Sequence, residues 1–256
     1  MKAIRRRQLS NQLPDAIEVE TDVGVLLLPA DDQVMRPLMQ RTGSWELDEA
    51  ILVGALISRG ETVVDIGAHV GYYTLLASRA VGRRGHVVAF EPQPGNAALL
   101  RANVARNGAR NVRVIEAAAW SEPTRLTLRC DPANSGDNRI ARDSDSDAVS
   151  VTGVRVDSVI DRANVIKIDA QGTDHVALRG LSGLVALGRT TALVEFWPHG
   201  VRAFGDDPLA VIEEYRSLGY RLTMPGVQAD FDGWPASRFV EVAELLPGGF
   251  ATLVLR

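Results

Sequence analysis

Between Val63 and Ala77 the chain reads VVDIGAHVGYYTLLA, and no other stretch limits its fold so strongly. Two β-branched residues run into an aspartate, two glycines frame a short turn, and an apolar-periodic segment follows, which is the order strand, turn, helix. Glycine at Gly67 and Gly71 allows positive φ and close approach of a ligand to the backbone, so the turn suggests a small molecule lying over it. The helix beginning near Gly71 offers unpaired N–H groups and the positive end of its dipole, suited to a carboxylate or phosphate. A tight βα turn in any α/β protein reads the same way, so the glycines alone leave both readings open.

A second apolar run, His86 to Phe90, ends in Glu91. In βαβ nucleotide-binding units an acid at this distance takes ribose hydroxyls, and nicotinamide and adenosylmethionine sites share the feature. The loops differ. The dinucleotide fingerprint is G-x-G-x-x-G, whereas Gly67-Ala-His-Val-Gly71 holds one glycine pair four apart with Asp65 ahead of it. DIGAHVG is similar to the cofactor loop of class I S-adenosylmethionine-dependent methyltransferases. With AFEPQPGNAALLRANVARNG after it and VIKIDAQGTDHVALRG further on, the sequence resembles the FkbM-type methyltransferase family from about Trp45 to Glu195. His69 stands where that family often has asparagine, and Gln171 where glutamate is common.

The resemblance implies a class I, Rossmann-like α/β fold: a seven-stranded, mostly parallel sheet with helices on both faces. An accessory cap (1–44) would precede the methyltransferase domain (45–256). It also implies S-adenosylmethionine as cofactor, held by Glu46, Asp65, Gly67, His69, Gly71, Glu91, Ala118 and Asp169, and a small-molecule acceptor methylated on a hydroxyl, a sugar or secondary metabolite. A nicotinamide-dependent oxidoreductase and a non-catalytic adenosylmethionine-binding module are the rival readings.

Composition narrows the rest. With 256 residues, 46% hydrophobic and 23% charged, the chain can bury one large core. A net charge of -4 leaves no basic footprint, and Arg5 to Arg7 is too short to act as a nucleic-acid arm, which argues against a nucleic-acid substrate. Cys130 has no cysteine partner, and no stretch approaches the roughly 18 apolar residues of a membrane span. The start lacks the apolar core of a signal peptide, so a cytoplasmic location is expected.

Along the chain, IEVETDVGVLLLP reads as a strand or hairpin. Trp45 to Ser58 has helical spacing and stops at Gly60; Trp45 and Glu46 read equally as cofactor contacts or as the acidic start of a helix. Helices are expected over Asn96–Asn107 and Asp206–Leu218, core strands over Asn111–Ile115, Val165–Ile168 and Thr190–Phe196, and a terminal hairpin from YRLTM and FATLVLR. RLTLRC and VSVTGVRV alternate as strands. The polar run between them reads as a loop, either disordered or a substrate lid carrying Asn134, Ser135 and Asn138.

Ligands of open α/β sheets sit beyond the carboxyl ends of the strands, where Gly67, Glu91, Ala118, Asp169 and Glu195 all fall. Methyl transfer needs acceptor, methyl and sulfur held in line, and an alcohol acceptor needs a base. Asp169, Glu195 and His199 are the candidates; each has a structural alternative as helix cap, ion-pair partner or solvated loop residue. Asp169, Asp174 and Glu195 could supply oxygen ligands to Mg²⁺, but no spacing demands a metal. Phe196, Trp197 and Trp234 could stack on an acceptor face or belong to the core. His175, one turn into a helix, reads as a surface residue.

Overall fold

Alternating side chains in AIEVET and GVLLLP, split by a tight turn, form an antiparallel hairpin of β1 (Ala16–Thr21) and β2 (Gly24–Pro29). In the computed structural model, which describes residues 13–142, 148–185 and 190–256, this hairpin leads through α1 (Met35–Thr42) and α2 (Leu47–Leu56) into the glycine-turn unit. That unit is β3 (Thr62–Ile66), α3 (Tyr72–Val81) and β4 (His86–Phe90), followed by α4 (Pro94–Arg106) and β5 (Val112–Ile115). A small sheet follows, built from β6 (Ala118–Ala119), β7 (Thr124–Arg129), β8 (Arg139–Ala141) and β9 (Val149–Val154). The chain then runs through β10 (Val165–Ile168), α5 (Asp174–Arg179), α6 (Ser182–Val185), β11 (Thr191–Phe196) and α7 (Pro198–Phe204). It closes with α8 (Pro208–Ser217), β12 (Leu222–Thr223), α9 (Ala236–Leu245) and β13 (Ala251–Leu255).

Seven strands form the main sheet in the order β12-β13-β11-β10-β3-β4-β5, and β13 alone runs against its neighbours. This is the expected class I, Rossmann-like arrangement. Both faces are buried, so the parallel strands are mainly apolar rather than strictly alternating, with Asp65, Lys167 and Glu195 among the charged exceptions. Val64, Ile66, Val88, Phe90, Ile166 and Ile168 point into one core with α5, α8 and α9. Val63, Val87, Val165 and Leu193 point into the other with α1, α2, α3 and the hairpin. Successive strands diverge from β3, with β4 and β5 on one side and β10 and β11 on the other, so a crevice opens at the carboxyl ends of β3 and β10.

Two expectations change. The last strands are antiparallel partners, but α9 lies between them, so they are not a tight hairpin. The polar run after β7 is not one loop either: β8 pairs with β7, and the four strands order as β6-β9-β7-β8. Asn134, Ser135 and Asn138 fall among the described residues of this run, while residues 143–147 lie outside them.

Candidate active site

The turn after β3 is fixed by the protein's own packing. Gly67 has φ +77°, and a Cβ there would lie 1.8 Å from the Asp169 carbonyl oxygen, so the ends of β3 and β10 approach too closely for any other residue. Gly71 has φ +101° and faces Leu100 of α4, where a Cβ would meet a methyl at 2.5 Å. Gly67 lines the cavity described below; Gly71 instead serves the contact between α3 and α4. Asp65 sits buried behind the turn, accepting a hydrogen bond from Thr74 Oγ1 at 2.5 Å, and burial pushes its carboxyl up.

Glu91 follows β4 and is buried. Its two oxygens accept from the backbone N–H of His69 (2.8 Å) and of Gln93 (2.9 Å), and burial raises its pKa to about 7. His69 is held in the left-handed region at φ 52°, with its ring Nε2 2.8 Å from Ser135 Oγ; burial lowers its pKa to about 4, leaving it neutral near pH 7. Ser135 donates through both its hydroxyl (2.5 Å) and its backbone N–H (3.0 Å) to Asp32 Oδ2.

His69, Glu91 and Ser135 line a cavity of about 450 Å³ at the carboxyl ends of β3, β4, β10 and β11. Glu46, Ala118, Asn134, Asn138, Asp169, Glu195 and Trp197 line it as well, so the structure gathers most of the residues singled out in the sequence. At its other end Asp169 accepts from Lys167 Nζ (3.0 Å) and from Gln171 Nε2 (2.7 Å). Lys167 is buried, 3.4 Å from Glu49 Oε1 and 4.3 Å from the Tyr73 ring centre; burial works to lower its pKa, but the Asp169 and Glu49 carboxylates outweigh it and keep the ammonium charged. Glu46, accepting from the Tyr73 hydroxyl at 3.1 Å, is raised to about 7 by burial against the pull of Lys167. Burial, followed by the neighbouring Asp169 and Asp174 carboxylates, pushes the Glu195 carboxyl well above the usual range where it lines the cavity.

Several expected roles move. Phe196 faces the core rather than the cavity, as the alternation of β11 requires once Glu195 and Trp197 point outward. His199 is exposed in α7 and does not line the cavity. Trp234 packs with Phe231 and Phe239. Asp174 is buried outside the cavity lining, its oxygens accepting from the backbone N–H groups of Ala170 (2.8 Å) and Gly172 (3.1 Å); among the described residues no group of three His, Cys, Asp or Glu could hold a metal. His175 is not a surface residue: its buried ring meets Asp206 Oδ2 at 2.8 Å. Asp32, Glu49, Tyr73, Lys167 and Arg139 were not anticipated. Only Lys167 carried a signal, a lone cation inside the apolar strand VIKI. Arg139 lines the cavity with its guanidinium 4.4 Å from the Trp197 ring centre and paired to Asp137.

The sequence model of the FkbM methyltransferase domain matches residues 65–222, more than half of the chain. The chain belongs to the FkbM methyltransferase family. The match begins later and runs further than the stretch whose motifs suggested it. An FkbM methyltransferase from Methylobacillus flagellatus superposes with a TM-score of 0.49 at 16% identity, over 77% of this chain and 43% of that one. Aeropyrum pernix fibrillarin, solved with natively bound S-adenosyl-L-methionine, superposes with a TM-score of 0.49 at 14% identity, over 82% and 74%. An arsenite methyltransferase from Halobacterium salinarum is 41% identical over 58 residues, 23% of this chain and 15% of that protein. The chain thus spans less than half the length of that curated relative and of the FkbM structure.

The FkbM-family cavity fits the family's donor, S-adenosylmethionine. His69, which lines the cavity, has a buried Nδ1 with no hydrogen-bond partner within the described protein, and Glu91 retains free lone pairs beside the cavity. Such acceptors suit a ligand rich in hydroxyl and ammonium donors. At the other end Glu46 lines the cavity, and a positive charge arriving there favours its ionised form. Among the described residues no helix is long and apolar enough to cross a membrane.

Proposed function

We propose that the chain is an S-adenosylmethionine-dependent O-methyltransferase acting on a hydroxyl of a small molecule, a sugar or secondary metabolite, with residues 1–44 accessory to a methyltransferase domain over 45–256. The observation that carries it is the convergence of Gly67, Glu91, Asp169 and Glu195 on one cavity at the switch point of the sheet, in a chain of this family. When bound, the donor supplies an electrophilic methyl on a sulfonium. Glu91 accepts from ribose hydroxyls, Ala118 leaves room for the adenine, and Glu46 meets positive charge at the methionine end.

Protein groups then position the acceptor and take its proton. Asp169 lies at the strand end beside Gly67, and its contacts with Lys167 and Gln171 hold it ready as base or as orienting acceptor. Glu195 lines the same cavity as a second carboxyl group to orient the acceptor hydroxyl, while the Trp197 ring offers a flat apolar face. His199 is exposed and does not itself line the cavity, its ring standing 5.6 Å from that of Trp197, so Asp169 and Glu195 come before it as candidates.

Equilibrium titration of the full chain with S-adenosylhomocysteine and with NAD tests the donor assignment, and binding of NAD without the thioether overturns it. Turnover across a panel of hydroxylated and amino metabolites tests the acceptor class, with methylated alcohols expected. A panel in which amines alone are methylated removes the O-methyl assignment.

A further inference from the structure

Ser135 spends every polar atom on tying separate parts of the chain together. Its hydroxyl and backbone N–H both donate to Asp32 Oδ2, and its carbonyl accepts from Asn96 Nδ2 (3.0 Å) and Asn138 Nδ2 (2.9 Å). Since the hydroxyl proton goes to Asp32, Ser135 Oγ accepts from His69 Nε2–H; this network assigns the His69 tautomer. Asp32 is buried and anchored in turn, its Oδ1 accepting from the N–H groups of Val34 and Arg36 at 3.0 Å each. A further backbone bond, Gln33 N–H to Ala133 O at 2.8 Å, joins the same two segments. Burial works to raise Asp32, but its four hydrogen bonds outweigh it and hold the carboxyl below its ordinary range.

The placement matters as much as the bonds. Ser135 lies beside His69 and Asn96, next to Glu91, which accepts from the His69 backbone. The segment that read as an acceptor lid is therefore fastened at the ribose end of the cavity.

We propose that Asp32 and Ser135 are positioning residues for the donor: through Ser135, Asp32 holds the Asp131–Asn138 segment shut over the ribose end of the cavity and fixes His69, and the donor enters and leaves when this fastening is released. The proposal rests on the reading of the cavity as an S-adenosylmethionine site. A fastening of this kind acts on residence time, because the bonds must break before the ligand escapes.

The test is stopped-flow dissociation of S-adenosylhomocysteine from the loaded full chain, followed by the fluorescence of Trp45, Trp120 and Trp197 in the cavity wall. Ser135→Ala and Asp32→Asn are expected to speed dissociation by about tenfold or more, the scale of a lost hydrogen bond to a charged group, with association changed less. Ser135→Thr, which keeps the hydroxyl, is expected to stay close to wild type. A Ser135→Ala variant that releases the ligand at the wild-type rate overturns the proposal, whatever happens to its melting temperature. Should Asp32→Asn fail to fold, Ser135→Ala decides, since Asp32 keeps its other bonds there. If the wild-type chain binds no S-adenosylhomocysteine, it is the donor assignment that fails. Amide exchange of Ala133–Asn138 in the ligand-free chain then reads the fastening alone, with faster exchange in Ser135→Ala supporting it and equal exchange overturning it.

Discussion

Glu91 carries two duties. Its carboxylate holds the backbone of His69 and Gln93 in place, and its remaining lone pairs face the cavity. Glu91→Ala therefore leaves two part-buried N–H groups without their acceptors, and we expect a loss of about 1–3 kcal/mol in chemical denaturation along with about 1.5–3 kcal/mol in S-adenosylhomocysteine binding by calorimetry. Full stability in that variant would show that the loop stands without the carboxylate. Asp169→Asn separates chemistry from donor binding: it keeps the shape, removes the charge and leaves Lys167 with Glu49 as its carboxylate partner. Turnover is expected to fall by roughly 10²-fold or more with thioether affinity nearly unchanged, the usual scale for a general base. An Asn variant with normal turnover removes Asp169 from the chemistry. The spacing from the glycine turn marked Glu91 in the sequence. Asp32 stayed invisible because its partner Ser135 is 103 residues away, and no local pattern records such a pair. Phe196 and His199 were misplaced because facing within a strand and exposure within a short helix are decided by tertiary packing.

At the scale of elements, the hairpin joins the rest of the molecule through two asparagines of α4 and its C-terminal cap. Asn103 accepts from Leu27 N–H (2.7 Å) and donates to Leu27 O (3.1 Å) and Val70 O (2.9 Å), while Asn107 does the same for Val25. These amides cover the free edge of β2 as a neighbouring strand would. Asn103→Ala leaves three backbone groups short of a partner, two of them on β2, and we expect it to cost about 2–4 kcal/mol. Amide exchange should rise first at Val25 and Leu27, and uniform change across the sheet would argue against a local docking role. The long apolar strands and the helices over α2, α3, α4 and α8 were legible, since period and capping residues mark them. β8 was not, because three residues become a strand only by pairing with β7. Nor was α7, a short helix started by Pro198 and closed by Gly205, whose length is below what periodicity resolves.

For the molecule as a whole, the cavity concentrates carboxyl groups, and burial holds Glu46 and Glu91 protonated up to about pH 7. Both are acids whose folded pKa lies above the ordinary value of 4.5, so between about pH 4.5 and 7 the folded chain keeps protons that the unfolded chain has released. Their contribution to stability is thus fully present below pH 4.5 and is lost as pH rises toward 7, which denaturation midpoints across that window should follow in direction. Ligand binding reverses the preference. A cation arriving beside Glu46 favours its ionised form, so S-adenosylmethionine should release protons on binding near pH 6.5, and its affinity should weaken as pH falls below 7, by up to about tenfold per unit. Calorimetry in buffers of different ionisation enthalpy counts those protons. S-adenosylhomocysteine keeps the ammonium but lacks the sulfonium, so it should release fewer, and Glu46→Gln should remove most of the difference between pH 7 and pH 5.5. Equal proton release by the two ligands, unchanged in Glu46→Gln, would place the positive charge of the donor away from this end of the cavity.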